Sequence, residues 1–106
     1  MKVILDECLP KRWTQHFSEH EVTTVPLSGL AGYSNGKLLA ALEARFDVFV
    51  TIDGNLQWQQ NLEQRSLIVI VIRARSNRLE DLVPLTARVN EAIASGSGPI
   101  RHVRST

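Results

Sequence analysis

The sequence holds a single cysteine, Cys8, among 106 residues. That excludes an internal disulfide and a zinc site built on several thiolates, and it suits a reducing compartment. Cys8 itself reads as a small buried apolar residue rather than a reactive thiol. An excess of one charge is also lacking. The 12 basic and 11 acidic side chains leave a formal net charge of +1, too little for a global field that would attract nucleic acid. Any basic footprint must be local. No apolar run approaches the length of a membrane span, and Met1 leads straight into Val3-Ile4-Leu5 and then acid, without a signal-peptide core. The expectation is a soluble, cytoplasmic protein with no membrane partner. Repeats and low-complexity tracts are absent, and Ser95-Gly96-Ser97-Gly98-Pro99 is too short and too near the end to be a linker. Residues 1–106 therefore read as one domain, and 43% hydrophobic content is enough for a single core.

Several familiar motifs fail on inspection. Ala31 to Leu38 reads A-G-Y-S-N-G-K-L, which lacks the first glycine and the final hydroxyl residue of a phosphate loop. The glycines at 29, 32 and 36 do not form a dinucleotide-binding G-x-G-x-x-G, so a flexible approach to a helix is the plainer reading. His16, His20 and His102 show no metal-ligand spacing and are assigned to surface or packing roles. No serine or cysteine triad is evident.

What is present is an alternation of buried strands and amphipathic helices. Lys2 to Leu5 and Val48 to Ile52 are short apolar runs that each end at an acid, and Leu67 to Ile72 is a continuous apolar run rich in β-branched residues. Such runs are typical of parallel strands buried on both faces. Glu21 to Val25, ending at Pro26, is a weaker strand, and Ile100 to Val103 is a short edge strand. Trp13 and Phe17, behind Pro10, and Leu38, Leu39, Leu42 and Phe46 form two helical stripes. The longest helix is signalled by Asn77 with Glu80 three residues on, a capping-box pattern, followed by Leu79, Leu82, Val83, Thr86, Val89 and Ile93. Pro84 kinks it or marks its first turn. The fold class expected is α/β: a three-layer α/β/α sandwich on a mainly parallel sheet of four to five strands, with right-handed crossovers.

In such sheets the functional crevice lies beyond the carboxyl ends of the strands. That rule selects Asp6-Glu7, the Gly29 to Gly36 loop, Asp53-Gly54-Asn55 and Arg73 to Arg78. If the first and third strands are neighbours, Asp6 and Asp53 face each other across one strand spacing, where two like charges repel unless a cation neutralises them. Mg²⁺ or Mn²⁺ suits such a site, because a hard cation takes one or two carboxylates and completes its shell with water and phosphate. A phosphodiester substrate follows. The competing role for each aspartate is a cap on the next helix; two acids at equivalent strand ends favour the site. Glu7 stands equally between site and solvent, and Asn35 between a helix cap and the acids.

Arg73, Arg75 and Arg78 follow the fourth strand and fall on the same edge, where they serve either as a phosphate-backbone contact or as an exposed loop paired with Glu80 and Asp81. Lys11 and Arg12 are lesser candidates for the same role. Trp58, among Gln57, Gln59, Gln60 and Asn61, suits stacking on unpaired bases, although its spacing from Leu62 favours a core position.

Leu5-Asp6-Glu7-Cys8-Leu9-Pro10, Thr51-Ile52-Asp53-Gly54-Asn55-Leu56 and Ser76-Asn77-Arg78-Leu79 together resemble the short bacterial PIN-like domains, relatives of VapC-type toxin nucleases. The resemblance covers nearly the whole chain. It implies a metal-dependent nuclease acting on single-stranded RNA, with Asp6 and Asp53 as metal-binding acids and Thr51 supporting them. A toxin of a toxin-antitoxin pair is then expected, with an antitoxin protein or a second copy of the chain as candidate protein partners. Asn35 and Asn55 stand near positions where relatives often carry aspartate. Amides coordinate through a neutral carbonyl oxygen, so a site with fewer carboxylates binds metal more weakly. This keeps a second reading open, a catalytically weak module for interaction or RNA binding. A phospho-accepting receiver domain is the third, disfavoured because its lysine after the fifth strand has no counterpart: the lysines are Lys2, Lys11 and Lys37.

Overall fold

The computed structural model describes residues 1–33, 35–54 and 65–105, the side chain of Asn35 apart. Five strands form one sheet: β1 (Lys2–Leu5), β2 (Glu21–Thr24), β3 (Val48–Thr51), β4 (Ile68–Arg73) and β5 (Ile100–Arg104). Every pairing is parallel and the order across the sheet is β2-β1-β3-β4-β5. This is an α/β fold with an all-parallel sheet, as the apolar runs anticipate. The chain moves outward from β1 to β2, returns to β3 on the other side of β1, and continues outward. The reversal between β1 and β3 is the topological switch point of a doubly wound sheet.

The strands are continuously apolar because both faces are covered. Val3, Leu5, Val48, Val50, Ile70, Ile72 and Val103 belong to one buried cluster, while Ile4, Phe49, Val69 and Val71 belong to another. The alternation follows the period of two along a strand. The first cluster is completed by Leu82, Leu85, Val89 and Ile93 from the 79–95 region. The second is completed by Leu38, Leu39 and Leu42 of α1 (Asn35–Arg45).

Two helical expectations need correction. The Trp13–Phe17 segment is a 3-10 helix over Lys11–His16 with Phe17 as its cap, closed by bonds of Trp13 N–H to Pro10 and Phe17 N–H to Thr14. Tertiary bonds set its position: the buried Trp13 donates its indole N–H to Thr86 Oγ1 at 2.8 Å, and its ring lies 5.0 Å from that of Phe17. The capping box at Asn77 does not form. The helical region opens with α2 (Leu79–Leu82), whose cap is Arg78, without a capping side-chain bond. The Asn77 amide instead donates to the Cys8 carbonyl at 2.9 Å. A 3-10 turn over Val83–Leu85 then contains Pro84, and α3 (Thr86–Ser95) follows. Proline lacks the N–H that an unbroken helix needs at that point, so the expected long helix is split. No helix among the described residues is long and apolar enough to cross a membrane.

Candidate functional site

The site starts from the register of the two central strands. Leu5 lies opposite Val50, and the ladder runs one bond further, with Asp6 N–H donating to the Val50 carbonyl at 2.8 Å. Asp6 therefore stands beside Thr51, and Asp53 follows two residues on. By alternation Asp6 and Thr51 fall on the face of Ile4 and Phe49, the face covered by α1. The amino end of α1 approaches this same edge, because α1 connects the carboxyl side of β2 to the start of β3.

Thr51 joins the two acidic turns. Its side chain is fully buried, and its hydroxyl donates to Asp6 Oδ2 at 2.7 Å while accepting the Asp53 backbone N–H at 3.0 Å. Both capacities of a buried hydroxyl are thereby used. The other carboxylate oxygen of Asp6 accepts the Glu7 N–H at 2.8 Å, and the Cys8 thiol donates to Oδ2 at 3.5 Å. Asp6 is half-buried and held in place from three sides, whereas Asp53 is exposed at the mouth. Cys8 departs from the purely apolar part assigned to it. Its thiol is half-buried beside the Asp6 carboxylate, and burial, with the Asp6 charge adding to it, pushes its pKa up from 9.0 to about 11. It is therefore a neutral donor at neutral pH.

The structure brings Asp6, Thr51 and Asp53 to one place on the switch-point edge and leaves Glu7 exposed at its rim. The 74–78 loop arches toward that edge and is pinned there by the bond from Asn77 to Cys8. Arg73, Arg75 and Arg78 are all exposed on this loop or at its start. Arg78 meets Glu80 at 3.4 Å with both side chains more than two thirds exposed, a pair that contributes little to stability. Arg75 lines a cavity of about 500 Å³ together with Arg88, Glu80 and Asp81. Lys11 and Arg12 are exposed at the start of the 3-10 helix beyond the Asp6 turn. Asn55 and Trp58 lie outside the described residues, as does the side chain of Asn35.

Sequence reasoning missed two features here. The bonding of Cys8 to Asp6 carried one signal, its place two residues after the acid. The sharing of one cavity by Arg75 and Arg88 carried none, since it depends on how the following helix packs.

A divalent metal has to be tested against this donor set. Among the described residues no group of three or more His, Cys, Asp and Glu side chains is assembled around one point. Asp6 and Asp53 are thus two hard oxygen donors with little competition from nitrogen or sulfur, since the Cys8 thiol is held neutral. Two carboxylates fit a hard cation that keeps several waters and do not fit a fully enclosed protein cage. No family model matches the chain, nor does any curated protein or solved structure with which it was compared, so its function is read from this site's own chemistry.

Proposed function

We propose that this protein is a cytoplasmic, metal-dependent endoribonuclease of the PIN-like type, working as the toxin of a toxin-antitoxin pair. The observation that carries this reading is the Thr51 hydroxyl, which ties the Asp6 carboxylate to the backbone of Asp53 at the switch point of the sheet. Holding two carboxylates on adjoining turns has a cost in repulsion that a shared cation removes. Asp6 and Asp53 would hold Mg²⁺ or Mn²⁺. When bound, such an ion supplies Lewis acidity toward a phosphodiester and lowers the pKa of water.

The chain's own residues do the rest. Thr51 fixes the rotamer of Asp6, and the Cys8 thiol and Glu7 N–H hold the same carboxylate against rotation. Arg73 and Arg75, exposed on the same edge, attract and orient the phosphates of a single strand. Asp53, at the open side, meets the substrate first.

A second reading, a module that binds RNA or protein without cutting, is favoured by one observation: each Asp6 oxygen already accepts a bond from the chain, which leaves fewer lone pairs for a metal. One experiment separates the two. Purified protein is incubated with single-stranded RNA and Mn²⁺. The nuclease reading expects endonucleolytic cleavage that Asp6→Asn and Asp53→Asn abolish. RNA that is bound yet uncut, or cut equally well by both variants, would overturn it.

A further inference from the structure

Among the described residues β5 is an edge of the sheet and pairs with β4 alone. Two hydrogen bonds fix which of its backbone groups face inward. The Pro99 carbonyl accepts from Val69 N–H at 2.7 Å, and Ser105 N–H donates to the Arg73 carbonyl at 3.2 Å. Backbone direction alternates along a strand, so residues 99, 101, 103 and 105 turn their N–H and C=O groups to β4, whereas Ile100, His102 and Arg104 turn theirs outward. An independent contact agrees with this phase: Arg88 Nη1 donates to the Arg104 carbonyl at 2.7 Å from outside the sheet.

Alongside this edge runs a cavity of about 350 Å³, floored by the outer flank of α3. Arg88, Glu91, Ala92 and Ser95 line it at spacings of three, four and seven, which is one stripe of a helix, and His102 and Arg104 line it from β5. The molecule therefore has an outward-facing strand edge with a helix beside it, the arrangement in which an extended peptide is bound by strand addition.

Charge identifies the occupant. Arg88 and Arg104 outnumber Glu91 in the groove. The asymmetry extends along the chain: residues 65–106 carry seven arginines and three acids, whereas residues 1–64 carry five basic and eight acidic side chains. A second copy approaching edge to edge would set Arg104 and its neighbours against the same basic groups, a repulsion that edge arginines are suited to impose. An acidic strand gains attraction where a copy meets repulsion. We infer that the groove between β5 and α3 is a docking site for an extended acidic segment of a partner protein, which adds as a sixth strand beside Ile100 and His102. The site uses neither Asp6 nor Asp53 and stands independently of the nuclease reading.

The test uses the full chain and three labelled probes: an alternating Glu-Val heptapeptide, its Lys-Val counterpart, and a single-stranded oligouridylate. Fluorescence anisotropy is expected to show binding of the glutamate peptide and none of the lysine peptide. Arg88→Glu and Arg104→Glu should each weaken it by about tenfold or more, the scale of turning an attraction into a like-charge contact. Both positions are exposed, so at least one variant should keep the wild-type melting transition and serve as the reporter. Amide hydrogen exchange at Ile100 and His102 should slow on peptide binding, which binding to a charged surface elsewhere would not cause. The inference is overturned by any of four results. These are no binding of the glutamate peptide, binding that leaves those two amides unchanged, protection of the same amides by self-association without peptide, or loss of peptide to competing oligouridylate through the same two arginines.

Discussion

At the scale of single residues the decisive group is Thr51. A buried hydroxyl that both donates and accepts is more constrained than the acids it serves, and its replacement tests whether the two acidic turns are coupled. Thr51→Val preserves shape while removing the acceptor of the Asp53 N–H and leaving Asp6 Oδ2 with only the longer contact from the Cys8 thiol. The expected loss of unfolding free energy is about 1–3 kcal/mol, the cost of unmatched polar groups, read from urea denaturation at pH 7. Mn²⁺ affinity should fall with it, because Asp6 loses the bond that fixes its rotamer.

Cys8 gives a pH-dependent outcome at the same scale. Its thiol titrates near 9.0 when unfolded and at about 11 when folded, chiefly because burial disfavours the thiolate. Between those values the native state holds more protons than the unfolded state, so this contribution to stability is fully present below pH 9 and is lost as pH rises toward 11. Cys8→Ala should show a shallower decline across that window in thermal melts. Alkylation of native protein by iodoacetamide at pH 8, followed by intact mass, should be much slower than that of the urea-unfolded chain.

At the scale of elements, the end of α3 shows how one glycine and one arginine close a helix. Arg101 donates to the Ala92 and Ile93 carbonyls at 2.8 and 3.0 Å and to the Gly98 carbonyl at 3.0 Å, adding to the Gly96 N–H at Ala92 and reaching the Ile93 acceptor in the last turn. Gly96 makes room for it. A Cβ there would lie 2.5 Å from both the Ala92 carbonyl oxygen and Arg101 Cδ, although the φ of −68° is one any residue adopts. Gly96→Ala should therefore destabilise through crowding, by about 1–3 kcal/mol, and lower the melting temperature.

The elements differ in how far the sequence discloses them. β1, β3 and β4 are legible because strands buried on both faces must be apolar throughout, which no competing interaction obscures. The split between α2 and α3 is less so: Pro84 announces a disturbance, but whether it kinks, starts or breaks a helix depends on what its neighbours pack against. Asn77 has the right spacing for a cap, and its spatial proximity to the Cys8 carbonyl outweighs it. Long-range bonds of this kind, like that between Trp13 and Thr86, leave no local pattern to read. For the site, the placement of Asp6 and Asp53 after strands is visible in one dimension, while the Thr51 bridge depends on β1 and β3 being neighbours.

At the scale of the whole molecule, the order β2-β1-β3-β4-β5 does two things at once. It sets the turns bearing Asp6 and Asp53 side by side at the reversal of strand order between β1 and β3, and it leaves the arginine-rich β5 at a rim. The same strand order serves flavin-binding and phospho-accepting domains, so topology alone does not select a chemistry. What favours the proposed metal chemistry is that both acidic turns share one threonine. A crystal soaked in Mn²⁺ and measured at a wavelength giving manganese anomalous signal tests this directly. The account predicts a single anomalous peak in contact with carboxylate oxygens of both Asp6 and Asp53, at about 2.0–2.3 Å. Absence of a peak there, or a peak bound by one aspartate alone and unchanged in Asp53→Asn, would contradict it.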